Sequence, residues 1–125
     1  MNQRSEKVVL VVDDEPDNIH LINGLLSGSY RIKAATSGAK CLNICASATL
    51  PDAIILDMMM PEMDGIAVIK ELKKSPPQSQ IPIIMVSAST REEDRQQCLD
   101  AGASDYLKKP VNAEQLTQLL ESLIQ

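Results

Sequence analysis

Asp13, Asp14 and Asp57 are the residues of this chain whose types and placement could do chemistry. Each stands where a short apolar run stops: Val8-Val9-Leu10-Val11-Val12 runs into Asp13-Asp14-Glu15, and Ala53-Ile54-Ile55-Leu56 runs into Asp57. A third run ends at Ser87-Ala88, and Tyr106-Leu107 is followed by Lys108-Lys109-Pro110. An Asp after a strand is, taken singly, an ordinary cap or turn residue, and Asp64-Gly65 reads that way. Three carboxylates gathered in one cleft are a different matter, because they repel one another and at least one resists ionisation. A hard divalent cation removes the conflict, and Mg²⁺ prefers carboxylate oxygens. Three Asp and one Lys carry a charge of −2, which one such ion cancels. A carboxylate nucleophile beside a metal, an ammonium and a hydroxyl is suited to receiving a phosphoryl group.

The convergence depends on the elements that carry these residues. Strands are expected at residues 8–12, 31–34, 53–57 and 81–86, with a short fifth around Tyr106-Leu107. The first, third and fourth are continuously apolar, the signature of strands covered by helices on both faces. Between them apolar residues recur at helical spacing: Ile19, Ile22, Leu25 and Leu26, then Ile66, Ile69 and Leu72, then Leu116, Leu119, Leu120, Leu123 and Ile124. Asn112 with Gln115, and Thr90 with Glu93, are expected capping boxes. The helix around residues 92–101 is polar with few core anchors, so it should be the most loosely held. Five strand–helix units imply a doubly wound α/β fold, a flavodoxin-like five-stranded parallel sheet of order 2-1-3-4-5 with helices on both faces. Ligands of such sheets bind outside the carboxyl ends of the strands, where the acids, the hydroxyl and the lysine fall.

Composition narrows the classes further. The chain has 125 residues, 44% of them hydrophobic, and a net charge of −5. An acidic domain with two tyrosines as its only aromatic residues has little for a phosphate backbone or for base stacking, so direct nucleic-acid binding is not expected. No apolar run approaches a membrane span, and residues 1–7 lack the apolar core of a signal peptide, so a cytoplasmic location is expected. Cys41, Cys45 and Cys98 are an odd set read as core residues rather than a disulfide or zinc framework, and His20 as a surface or rim residue.

The residues then match a known pattern along nearly the whole length. Val11-Val12-Asp13-Asp14-Glu15-Pro16, Asp57-Met58-Met59-Met60-Pro61-Glu62-Met63-Asp64-Gly65, Val86-Ser87-Ala88 and Ala101-Gly102-Ala103-Ser104-Asp105-Tyr106-Leu107-Lys108-Lys109-Pro110 occur in order. The chain resembles the response-regulator receiver domains of two-component signalling, with one domain over 1–125, a core of about 7–124 and a polar tail at 1–6. The resemblance implies that Asp57 is the phosphoacceptor and that Mg²⁺ is held by Asp14, Asp57 and the Met59 carbonyl, with Asp13 acting through water. It implies that Lys109 pairs with Asp57 and then with the phosphoryl group, that Ser87 hydrogen-bonds a phosphoryl oxygen, and that Tyr106 is an aromatic switch. A cis Lys109-Pro110 bond is expected as well. Implied partners are a sensor histidine kinase or histidine phosphotransfer protein and a downstream effector. A homodimer through helix 4, strand 5 and helix 5 is a further possibility.

The methionines carry their own expectations. Met60 and Met85 read as packing under the site, whereas Met58 and Met59 follow the acceptor in a loop and should line the cleft rim. Met59 and Ser89 would flank a hydrolytic water. An apolar Met59 favours a long-lived phosphorylated form, while a short Ser89 would leave the path open.

Other classes fit less well. A flavin electron carrier on this topology needs a Ser/Thr/Gly-rich phosphate loop after strand one, where the acid pair stands instead. A phosphohydrolase with an Asp nucleophile needs a second Asp where Met59 stands. A phosphorylation-independent adaptor and a receiver module of a longer regulator remain as alternatives.

Overall fold

The computed structural model describes residues 7–124, so the polar tail expected at 1–6 lies outside the described residues. Five strands, β1 (Val8–Val12), β2 (Arg31–Ala35), β3 (Ala53–Asp57), β4 (Ile83–Ser87) and β5 (Asp105–Lys108), form one parallel sheet of order β2-β1-β3-β4-β5. Helices α1 (Pro16–Leu26), α2 (Gly38–Cys45), α3 (Gly65–Leu72), α4 (Glu92–Ala101) and α5 (Ala113–Leu123) make the crossovers. This is the flavodoxin-like arrangement the strand and helix rhythm implies.

The continuously apolar strands are explained by a core on each face. Side chains alternate along a strand, so Leu10, Val12, Ile54, Leu56, Ile83 and Met85 join the cluster under α2, α3 and α4. Val9, Val11, Ile55, Ile84 and Val86 join Ile22, Leu26, Leu116 and Leu120 of α1 and α5 on the other face. All three cysteines are buried in the first of these cores, and His20 is exposed on α1.

Three expectations of detail are corrected. The fourth strand begins at Ile83 rather than at residue 81, because a 3-10 turn (Gln78–Gln80) and Pro82, which has no N–H to donate, precede it. It also extends through Ser87, paired in register with Lys108. The Thr90–Glu93 capping box does not form: α4 starts at Glu92 after Arg91, whose N–H donates to Ser89 Oγ at 3.1 Å. The Asn112 cap does form, its side chain accepting from Gln115 N at 2.9 Å. Among the ten residues of α4 only Cys98 is buried, in keeping with a weakly anchored helix.

Candidate functional site

The parallel register carries the strand ends to one edge of the sheet. β1 leads into Asp13, whose backbone N–H continues the β1–β2 ladder by donating to Ala35 O at 3.1 Å. Asp57 closes β3 opposite Val86, and Ser87 closes β4 opposite Lys108. Lys109 follows β5, its N–H donating to Ser87 O at 2.8 Å, so the ladder itself delivers the lysine beside the hydroxyl. The Lys109-Pro110 bond is cis.

Ligand oxygens of Asp13, Asp14 and Asp57 all lie within 4.8 Å of one another. Lys109 Nζ donates to Asp13 Oδ2 at 3.1 Å and stands 3.4 Å from Asp57 Oδ1. The lysine therefore bridges two acids and sits nearer to Asp13, where the resemblance pairs it with Asp57 first. Asp13 Oδ1 also accepts from Glu15 N at 2.9 Å, and Asp57 Oδ1 from Met59 N at 3.3 Å. No described residue donates to the Asp14 carboxylate.

Electrostatic conflict is visible in the titration of the group at the centre. Burial, and then the charge of Asp13, push the Asp57 carboxyl up to about 6 against the opposing pull of Lys109 and the Met59 N–H. Partial burial pulls the Lys109 ammonium down, but its hydrogen bond to Asp13 and the charges of Asp57 and Asp13 outweigh this and hold it above its ordinary value. One ammonium among three carboxylates leaves the pocket two negative charges over, and Asp14 without a partner among the described residues. The residues present fit a hard divalent cation on charge and on ligand chemistry.

The flanking residues divide in a way their sequence neighbourhood does not announce. Met58 was expected at the rim with Met59, yet it is 6% exposed. Its N–H donates to Val86 O at 2.9 Å, so pairing continues one residue past β3 and the side chain keeps its inward turn. Met59 is 69% exposed, as expected, while Met60 and Met85 are buried. Ser87 is buried, and its Oγ accepts from Ser89 N at 3.1 Å. Tyr106 is half-buried and its hydroxyl donates to Ser89 O at 2.9 Å. Ser89 Oγ donates in turn to Asp94 Oδ2 of α4. The Ser89–Asp94 link has no local signal in the sequence, since it depends on where α4 begins.

A model of the response regulator receiver domain matches residues 9–121. The chain belongs to that family. Over its full length the receiver is 39% identical to a probable cyclic di-GMP phosphodiesterase of Vibrio cholerae, of which it spans 28%. A crystal structure of a putative response regulator from Chloroflexus aurantiacus superposes with a TM-score of 0.90 at 29% identity, covering 96% of this chain and 98% of that one. The receiver domain of a sensor histidine kinase from Pseudomonas aeruginosa superposes with a TM-score of 0.86 at 30% identity, covering 96% and 98% of the two chains. That relative has a magnesium ion coordinated in its active-site cleft. A receiver is a signalling module rather than a metabolic enzyme, and the acidic triad of this receiver could hold a metal. No helix among the described residues is long and apolar enough to cross a membrane.

Proposed function

We propose that this receiver is a phosphorylation-dependent switch in which Asp57 accepts a phosphoryl group from a phosphohistidine of a sensor kinase or phosphotransfer protein. The observation that carries the reading is the Asp13, Asp14 and Asp57 carboxylates within 4.8 Å of one another, with Lys109 between Asp13 and Asp57. A carboxylate oxygen of Asp57 attacks phosphorus as the phosphorus–nitrogen bond breaks; the phosphohistidine, protonated at its other ring nitrogen, leaves as neutral imidazole, and Asp57 becomes an acyl phosphate. Lys109 would follow the charge from the Asp57 carboxylate onto the phosphoryl oxygens, and the Ser87 hydroxyl would donate to one of them. Asp14, Asp57 and the Met59 carbonyl would hold Mg²⁺, with Asp13 acting through water. When bound, the ion supplies charge neutralisation for the approaching phosphoryl oxygens. Incubation with acetyl phosphate and Mg²⁺, read by intact mass and peptide localisation, tests the reading. The expected result is one phosphoryl adduct at Asp57; an adduct elsewhere, or none, overturns it.

The metal assignment has its own test. Mg²⁺ should bind weakly and stabilise the fold by mass action, by about 2–3 kcal/mol at roughly a hundredfold excess over its dissociation constant. Asp14→Ala should lose most of that gain in thermal unfolding with and without Mg²⁺. Equal stabilisation of both proteins would remove Asp14 from the ligand set.

Phosphorylation is read out, in this proposal, on the face made by α4, β5 and α5, where an effector or a second receiver would dock. Support comes from the bonds that join this face to the site: Ser87 Oγ to Ser89 N, Ser89 O to the Tyr106 hydroxyl, and Ser89 Oγ to Asp94. A phosphoryl oxygen that draws the Ser87 hydroxyl toward itself moves the acceptor of the Ser89 N–H and so biases α4 through Ser89. Hydrogen exchange with and without beryllofluoride should therefore change chiefly at residues 87–101 and 106–112. Changes confined to residues 38–46, α2 with its C-cap, would place the output elsewhere. The whole chain is read here as one receiver, acting by itself or as the receiver module of a longer regulator.

A further inference from the structure

The five described methionines differ sharply in exposure. Met58, Met60 and Met85 are 6%, 7% and 0% exposed and Met63 is half-buried, whereas Met59 is 69% exposed. Its backbone N–H donates to Asp57 Oδ1 at 3.3 Å, so the residue with this open side chain is anchored by its backbone to the carboxylate. Ser89, two residues past Ser87, has its hydroxyl engaged twice, donating to Asp94 Oδ2 and accepting from Arg91 N at 3.1 Å. Sequence alone suggests that a short Ser89 leaves the hydrolytic path open; in the structure that hydroxyl is tied to the start of α4.

We propose that Met59 is an oxidation site through which peroxide shortens the life of the phosphorylated receiver, an inference that rests on the phosphoacceptor reading of Asp57. The thioether sulfur attacks one oxygen of hydrogen peroxide and the oxygen–oxygen bond breaks. Sulfur is oxidised by two electrons to the sulfoxide, and the peroxide is reduced to water. The product differs from the thioether in the property that matters here. A thioether is a weak acceptor that does little to order water, while a sulfoxide oxygen is a strong acceptor. Placed two residues after the acceptor, it holds a water for in-line attack on phosphorus, and positioning supplies much of the rate of such a transfer. The backbone carbonyl of Met59, assigned above to the metal, is unchanged by the oxidation. The buried methionines and the three buried cysteines are shielded from the same dose.

The test treats the receiver with limiting hydrogen peroxide, maps the oxygen by peptide mass, and follows decay of the Asp57 adduct at saturating Mg²⁺. Expected are a one-oxygen addition at Met59 before any other described methionine and a severalfold faster decay than in the untreated sample. Methionine sulfoxide reductase should reverse the acceleration. Met59→Leu, compared with its own untreated sample, should show no response to peroxide, and Met59→Gln should decay fast without it. Oxygen arriving first at a buried methionine overturns the proposal, as does a Met59 sulfoxide that decays at the untreated rate. Absence of any Asp57 adduct in the untreated receiver is a separate result, overturning the function reading and this inference together.

Discussion

Asp57→Asn should carry no phosphoryl adduct after incubation with acetyl phosphate and Mg²⁺, while its fold is kept and its metal-free stability at neutral pH rises. The amide occupies the carboxylate's volume but is a poor nucleophile, so the loss should be complete within the sensitivity of intact mass. Stability rises because the native carboxylate is held in a conflict that the amide lacks. Burial and the Asp13 charge push Asp57 up to about 6 from its ordinary 3.8, so the folded protein binds this proton more tightly than the unfolded chain does. Between about pH 4 and 6 the unfolded chain gives up the proton first, and stability falls as pH rises. Above that window the penalty is complete, and below it the penalty is absent. One pKa unit corresponds to about 1.4 kcal/mol, which puts the gain of the Asn variant above pH 7 on the order of 1–3 kcal/mol. Denaturant melts in chelator across pH 4–8 check it: the parent should lose stability through the window and the variant should lack that component. A full-stoichiometry adduct on the variant would show that the acceptor is another residue.

Gly65→Ala should damage the fold and the site together. A Cβ at Gly65 would lie 2.6 Å from the backbone oxygen of Asp57, 2.9 Å from Met85 Sδ and 3.0 Å from Met58 Cα. The methionine sulfur can give way; the backbone of the acceptor cannot move without dragging its carboxylate. The Gly65 N–H also donates to Met58 O at 2.8 Å, which pins the start of α3 under the β3 loop. Overpacking of this kind costs about 1–3 kcal/mol, and each kcal/mol lowers Tm by about 3–5 °C in a domain of this size. A Tm lower by about 3–15 °C is expected, with initial phosphorylation at least about tenfold slower because the in-line geometry is lost. Gly24→Ala is the matched contrast. It sits in α1 with nothing within 4 Å of a built Cβ, and it should stabilise by up to about 1 kcal/mol through helix propensity. Equal effects of the two substitutions would mean that helix propensity, not the contact with Asp57, governs position 65.

The order of the sheet and the edge at which Asp13, Asp14, Asp57, Ser87 and Lys109 gather could be read before any coordinates. Apolar runs that stop at an acid, a hydroxyl or a lysine, separated by helix-period segments, make the doubly wound order 2-1-3-4-5 the natural candidate, and its strand ends fall together. Local hydrogen bonding was legible too, as at Asn112, because a cap reaches only three residues along the chain. What the sequence could not decide were choices between partners distant along the chain. Met58 and Met59 are the same residue in the same loop, and only the Met58 bond to Val86 on the neighbouring strand buries one and leaves the other in solvent. Lys109 had several acids within plausible reach; the β4–β5 register sets its ammonium nearer to Asp13 than to Asp57. Thr90 and Glu93 have the composition of a capping box, but Ser89 takes the turn before α4 because its hydroxyl can reach both Arg91 N and Asp94. Periodicity and strand-end chemistry are properties of a segment and survive in the sequence. Which of two identical side chains is buried, and which acids the lysine bridges, are properties of strand register, and register exists only once the sheet has formed.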